Sequence, residues 1–94
     1  MFLQIGKNTI LREENILGIF DLDITSQSHI TRKFLSSAEK AGRVVNAAED
    51  IPKSFVLYQE PAGGPFKIYL SQAATGTLLR RAGAGMFRDT EHKK

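Results

Sequence analysis

Two apolar runs, Phe55-Val56-Leu57-Tyr58 and Phe66-Lys67-Ile68-Tyr69-Leu70-Ser71, flank the segment Pro61-Ala62-Gly63-Gly64-Pro65. β-Branched and aromatic residues on both sides of a Pro/Gly cluster signal a β-hairpin, here with a loop longer than the tightest type. An isolated hairpin is marginal in water, so the rest of the chain must cover it. That requirement constrains the fold more than any other feature of the 94 residues.

The segment before the hairpin supplies a cover. Ser26 or Ser28 is placed to cap a helix that runs to Ala41. Within it Ile30, Phe34, Ala38 and Ala41 recur at spacings of four, four and three, which makes one apolar stripe. Gly42 stands where a glycine closes a helix. A lone helix of this length is unstable, so its stripe is expected to lie on a sheet.

The remaining chain supplies more strands. Phe2 to Ile5 reads as a strand, Gly6-Lys7-Asn8 as a turn, and Thr9-Ile10-Leu11 as a second short strand. Ile16 to Leu22 reads as a buried strand, with Gly18 allowing close approach. Val44-Val45 is a brief strand, and Asn46 to Pro52 is a connection. Thr75 or Thr77 caps a final helix holding Leu78, Leu79 and Ala82, with Gly83 and Gly85 to end it. The expected fold class is therefore α+β: a small single domain over residues 1–87, an antiparallel β-sheet with one amphipathic helix packed on it, and a short C-terminal helix. A polar, flexible tail is expected over 88–94.

Composition narrows the function classes. There are no cysteines, so disulfide frameworks and thiolate metal sites are excluded. No apolar run approaches the roughly 20 residues that span a bilayer. The start Met1 to Gly6 has no basic residue and no long apolar run, so no signal peptide is expected and the location is expected to be cytoplasmic. His29 and His92 stand apart from any partner at metal-ligand spacing. No serine lies in a Gly-x-Ser-x-Gly turn, and Gly63-Gly64 and Gly83-Ala84-Gly85 lack the context of a phosphate loop. Glu13-Glu14 and Glu49-Asp50 read as solvated turn acids. No enzymatic activity, cofactor, metal or small-molecule ligand is expected.

The basic residues carry more information. Residues 1–25 hold two bases against four acids, and residues 26–94 hold eleven against six, within a net charge of +3. A polyanion would meet the later part of the chain. Arg32, Ser36 and Arg43 are spaced to share one helical stripe, and Lys33 and Lys40 another. Lys53 follows Pro52 at the mouth of a strand. Cations on rigid elements suit phosphate contact, which makes Arg32, Lys33, Lys40, Arg43 and Lys53 the expected phosphate-contacting residues, and DNA-binding residues if the polyanion is a duplex. Arg80 and Arg81 are ambiguous: they can neutralise their own helix C-terminus or pair with Asp21 or Asp23 of a neighbouring subunit.

The order of these motifs adds an expectation. Phe2-Leu3-Gln4-Ile5-Gly6, Asn15-Ile16-Leu17-Gly18-Ile19-Phe20-Asp21, Arg32-Lys33-Phe34-Leu35, Pro52-Lys53-Ser54-Phe55-Val56, Ile68-Tyr69-Leu70-Ser71 and Thr77-Leu78-Leu79-Arg80-Arg81 follow one another. Over roughly residues 2–87 this pattern resembles the bacterial extracellular-matrix regulatory protein family, RemA and RemB, and is closer to the RemB branch. The resemblance implies a DNA-binding transcriptional regulator of biofilm-matrix genes that works as a ring-shaped homo-oligomer. It implies DNA contacts from first-helix arginines, matched here by Arg32 and Lys33, and from the following loop. There the family's paired arginines are replaced around Ile51-Pro52, leaving Lys53 as the nearest base, and an early arginine is replaced near Asn15.

Two other readings compete. One is an oligomeric structural or interaction protein without useful DNA affinity. The other is an RNA-binding module in which Phe55, Tyr58, Phe66 and Tyr69 form an exposed stacking platform.

Overall fold

A computed structural model describes residues 1–25 and 28–82 of the chain. Its strands are β1 (Phe2–Gly6), β2 (Thr9–Arg12), β3 (Ile16–Asp21), β4 (Val44–Asn46), β5 (Ser54–Tyr58) and β6 (Lys67–Ser71). Its α-helices are α1 (Leu22–Thr25), α2 (His29–Lys40) and α3 (Thr75–Ala82), and a 3₁₀ turn spans Glu13–Asn15. The fold is a small α+β domain, as the sequence patterns require. The Gly83 and Gly85 stop, the 88–94 tail and the alternative cap Ser26 lie outside the described residues.

β5 and β6 form the expected hairpin, with Phe55 opposite Leu70 and Leu57 opposite Ile68. β3 adds antiparallel to β5. β4 adds parallel to β6, so the four-stranded sheet, ordered β3-β5-β6-β4, is mixed and not purely antiparallel as expected. The C-terminus of α2 explains this placement. Gly42 takes φ +74°, its N–H donates to Glu39 O at 3.0 Å, and the Arg43 N–H donates to Ala38 O at 2.9 Å. This paired arrangement closes the helix through a left-handed glycine and turns the chain back along β6. The Ile68 N–H then donates to Arg43 O at 2.8 Å.

β5 places its side chains alternately on two cores. Val56 and Tyr58 pack with Leu3, Ile5 and Leu11 of the separate β1–β2 hairpin and with Leu78 and Ala82 of α3. Phe55 faces the other way, with Ile68 and with Ala38 of α2. The sheet is therefore sandwiched between two layers. Two buried serines fasten one of them: Ser71 Oγ donates to Ile5 O at 2.6 Å, and Ser54 Oγ to Ala73 O at 2.7 Å.

Two expectations are corrected. β3 is an edge strand and not a buried one: Leu17 sits at a register shift and is 61 % exposed. Gly18 fits the close approach, because a Cβ there would lie 2.7 Å from the Phe20 ring. The Ile30–Phe34–Ala38–Ala41 stripe does not face the sheet as a unit. Only Ala38 is buried, while Ile30 is 78 % exposed. The inward line is Thr31, Leu35 and Ala38, spaced four and three, which turns Ile30 and Phe34 to one flank. Phe34 stacks on Phe66 with centroids 5.7 Å apart, which holds α2 in that rotation.

Candidate nucleic-acid interface

α2 is fixed at both ends. Ser28 Oγ accepts the Thr31 N–H at 3.4 Å, and Gly42 closes the last turn. With Thr31, Leu35 and Ala38 turned inward, helical geometry sends Lys33 and Lys40 straight outward, seven residues and about 10 Å apart. Neither lysine has an ion-pair partner among the described residues. Arg32 and Ser36 fall on the flank above β4 and line a cleft there with Leu22.

Lys53 joins this end of α2. The Leu22 N–H donates to Lys53 O at 2.9 Å, so Leu22 links Lys53 to the cleft that Arg32 lines. Lys53 is exposed and has no ion-pair partner among the described residues. Arg32 and Lys33 lie in the first turns of α2, and the Lys53 backbone is joined through Leu22 to the cleft that Arg32 lines.

Arg43 is a correction. It lies beyond the helix, so it does not continue the Arg32–Ser36 stripe. It sits half-buried in the closing turn, with its guanidinium carbon 5.5 Å from the Phe66 ring centroid. That cation–π contact fixes Arg43 at the far end of α2, near Lys40. Of the two expected stripes, Lys33 and Lys40 share one side of α2, whereas Arg43 lies beyond the helix and leaves the Arg32–Ser36 stripe.

Four other bases have partners within the fold. Arg12 pairs with Glu14 at 2.8 Å, and the Arg12 guanidinium holds the exposed Glu14 carboxyl below its ordinary range. Lys67 pairs with Glu60 at 3.5 Å. The Arg81 guanidinium donates to Gln4 O at 3.0 Å and ties α3 to β1. Arg80 reaches Thr77 Oγ1 at 3.3 Å.

The aromatic platform is not formed. Phe55 and Tyr58 are buried, Phe66 stacks on Phe34, and Tyr69 meets Tyr58 edge-on at 5.6 Å. Tyr69 also donates to Glu60 Oε2 at 3.3 Å, and burial pushes its phenol pKa up, with Glu60 adding to the rise.

Among the described residues no group of three or more His, Cys, Asp or Glu could hold a metal ion, and no helix is long and apolar enough to cross a membrane. Sequence reasoning missed α1 and the role of Leu22. Its apolar side chain after Asp21 was read as the end of a strand. The signal is Asp21, whose Oδ1 accepts the Ile24 N–H at 3.1 Å as short turn-capping acids do.

The geometry defines a class: a two-faced α+β domain carrying an outward basic helix. Comparison with protein-family models and with curated proteins finds no match to this chain.

Proposed function

We propose that this chain is a cytoplasmic DNA-binding transcriptional regulator of the extracellular-matrix regulatory, RemB-like type, acting as a homo-oligomer and possessing no enzymatic activity. The observation that carries the reading is the outward lysine ridge of the capped helix α2, with Arg32 on its adjoining flank and Lys53 exposed on the neighbouring strand entry. One subunit offers a few phosphate contacts and binds weakly. Copies arranged in a ring would raise avidity by about 10²–10⁴-fold if the duplex reaches several subunits. Few of these side chains are placed for base edges, so sequence preference would come from DNA bending.

A mobility-shift titration of duplex DNA at two salt concentrations tests this. Binding should weaken steeply with salt, with a log–log slope of about −0.9 per neutralised phosphate. Arg32→Ala with Lys33→Ala should weaken binding and flatten the slope while leaving the native mass unchanged. An intact oligomer that shifts no DNA at low salt would remove the reading.

A second reading, an assembly protein without DNA affinity, is favoured by a different observation. Phe2 and Ile10 lie outward on the β1–β2 hairpin, and Ile30 and Phe34 lie outward on α2, all exposed. Apolar patches on two layers suit association with further copies or other proteins. Native mass measurement together with the DNA titration separates the two readings.

A further inference from the structure

The two edges of the four-stranded sheet are not alike. Natural edges are kept from pairing by shortness, by lysine or proline, or by cover. β4 is short, with three residues, and Arg43 stands at its entry. β3 has six residues and holds no lysine, arginine or proline. No strand among the described residues pairs with its outer side. Hydrogen bonding alternates along an antiparallel strand. The Leu22 N–H donates to Lys53 O at 2.9 Å, so Phe20 and Gly18 bond to β5, and Ile19 between them turns its N–H and C=O to the open edge.

The side chains along this edge are apolar and exposed. Leu17 is 61 % exposed, and Phe20, Ile30 and Phe34 line a groove of about 360 Å³ beside it. Together the four expose on the order of 400 Å², within the range of the largest apolar patch on a monomer. A standard interface buries about 800 Å² per partner. The patch supplies about half of that, and the strand edge adds to it.

We propose that the β3 edge is a self-association surface, on which a second copy of this chain pairs its own β3 antiparallel about a two-fold axis at Ile19. The edge is complementary to itself, as a two-fold interface requires. Each Ile19 N–H meets the C=O of Ile19 in the other copy. Gly18 falls opposite Phe20 of the other copy, twice, so a residue without a side chain faces an aromatic ring. The Phe20 ring already lies across its own Gly18 and stacks on Phe55 at 5.0 Å, so it is held over the joint. A foreign strand could bond the same backbone but would have no reason to match this glycine–phenylalanine order. The modest area makes the pair weak, with a dissociation constant of about 10–100 μM.

Antiparallel edge pairing keeps equivalent faces of the two sheets on one side. Both α2 helices therefore lie on one face of an eight-stranded sheet, and both Lys33–Lys40 ridges point the same way. That consequence gives the homo-oligomer of the proposed function a surface and rests on that reading; the pairing rests on β3 alone. A two-fold pair is closed, so a larger ring needs a further contact elsewhere.

Sedimentation of the full chain from about 1 to 500 μM tests the pairing. The mass should rise from monomer toward dimer. Leu17→Glu, at an exposed position, should weaken association at least about tenfold with unchanged circular dichroism. In a mixture of ¹³C-labelled and unlabelled chain, an intermolecular nuclear Overhauser contact should join Gly18 Hα to Phe20 Hα, the narrow pair of this register. A monomer throughout, an association indifferent to Leu17→Glu, or intermolecular contacts at the β1–β2 hairpin instead would overturn the proposal. An oligomer indifferent to Leu17→Glu that still shifts DNA removes the β3 pairing and keeps the regulator reading. A β3-paired dimer that shifts no DNA does the reverse.

Discussion

On one face of the sheet the β1–β2 hairpin and α3 bury Leu3, Ile5, Leu11 and Leu78 almost completely, and two serine hydroxyls are bonded inside the layer. On the other face α2 touches the sheet through Leu35 and Ala38, with a cleft on each of its flanks. The first layer is pinned by polar groups that cannot be released to water without loss. The second is held by one helix line and an aromatic stack. The chain thus separates stability, concentrated on the sealed face, from accessible chemistry, concentrated on the open one.

This contrast can be broken by substitution. Leu78→Ala should cost about 2–5 kcal/mol, because the sealed face leaves a cavity that cannot collapse. Leu35→Ala should cost less than about 2 kcal/mol, since its cleft already opens to solvent. Urea denaturation compares the two directly, and equal costs would mean that α2 is packed as tightly as α3.

A smaller effect sharpens the same point. Ser71→Ala removes the donor to Ile5 O and the acceptor of the Ala73 N–H at 3.1 Å, and should cost about 1–3 kcal/mol. Faster hydrogen exchange should appear in β1 and β2, with α2 unchanged. Exchange rising equally in both layers would show that the serine does not belong to one layer alone.

The smallest effect concerns pH. The Tyr69 phenol pKa is raised in the fold, first by burial and then by Glu60. The unfolded chain therefore releases this proton first. Its contribution is complete below the unfolded value of about 10 and is lost as pH rises through the higher folded value. Urea midpoints followed into alkali should fall, and Tyr69→Phe should shallow that fall. An identical alkaline profile in the variant would assign the loss to other groups.

Much of the fold was legible in the chain. The β5–β6 hairpin, the Ser28 cap, the Gly42 closure and the capacity for two helices follow from local sequence, because turn chemistry and side-chain period act over a few residues. The candidate surface was legible only in part. The place of Arg32 and Lys33 on a capped helix follows from local sequence, as does the exposure of Lys53 after Pro52. Arg43 was misplaced because the 3.6-residue period was extended past the glycine that ends the helix. The cleft was not legible, since Leu22, Val44 and Leu70 come from three elements distant in sequence.

By itself the sequence determined the strands, the two longer helices and the hairpin turns, though not α1, and how many cations the chain carries. Only the tertiary structure decided the rotation of α2, the parallel pairing of β4 and the exposure of β3. Those choices depend on which side chains meet across the chain, where a single Phe34–Phe66 stack or a buried Ala38 outweighs the preference of a whole apolar stripe.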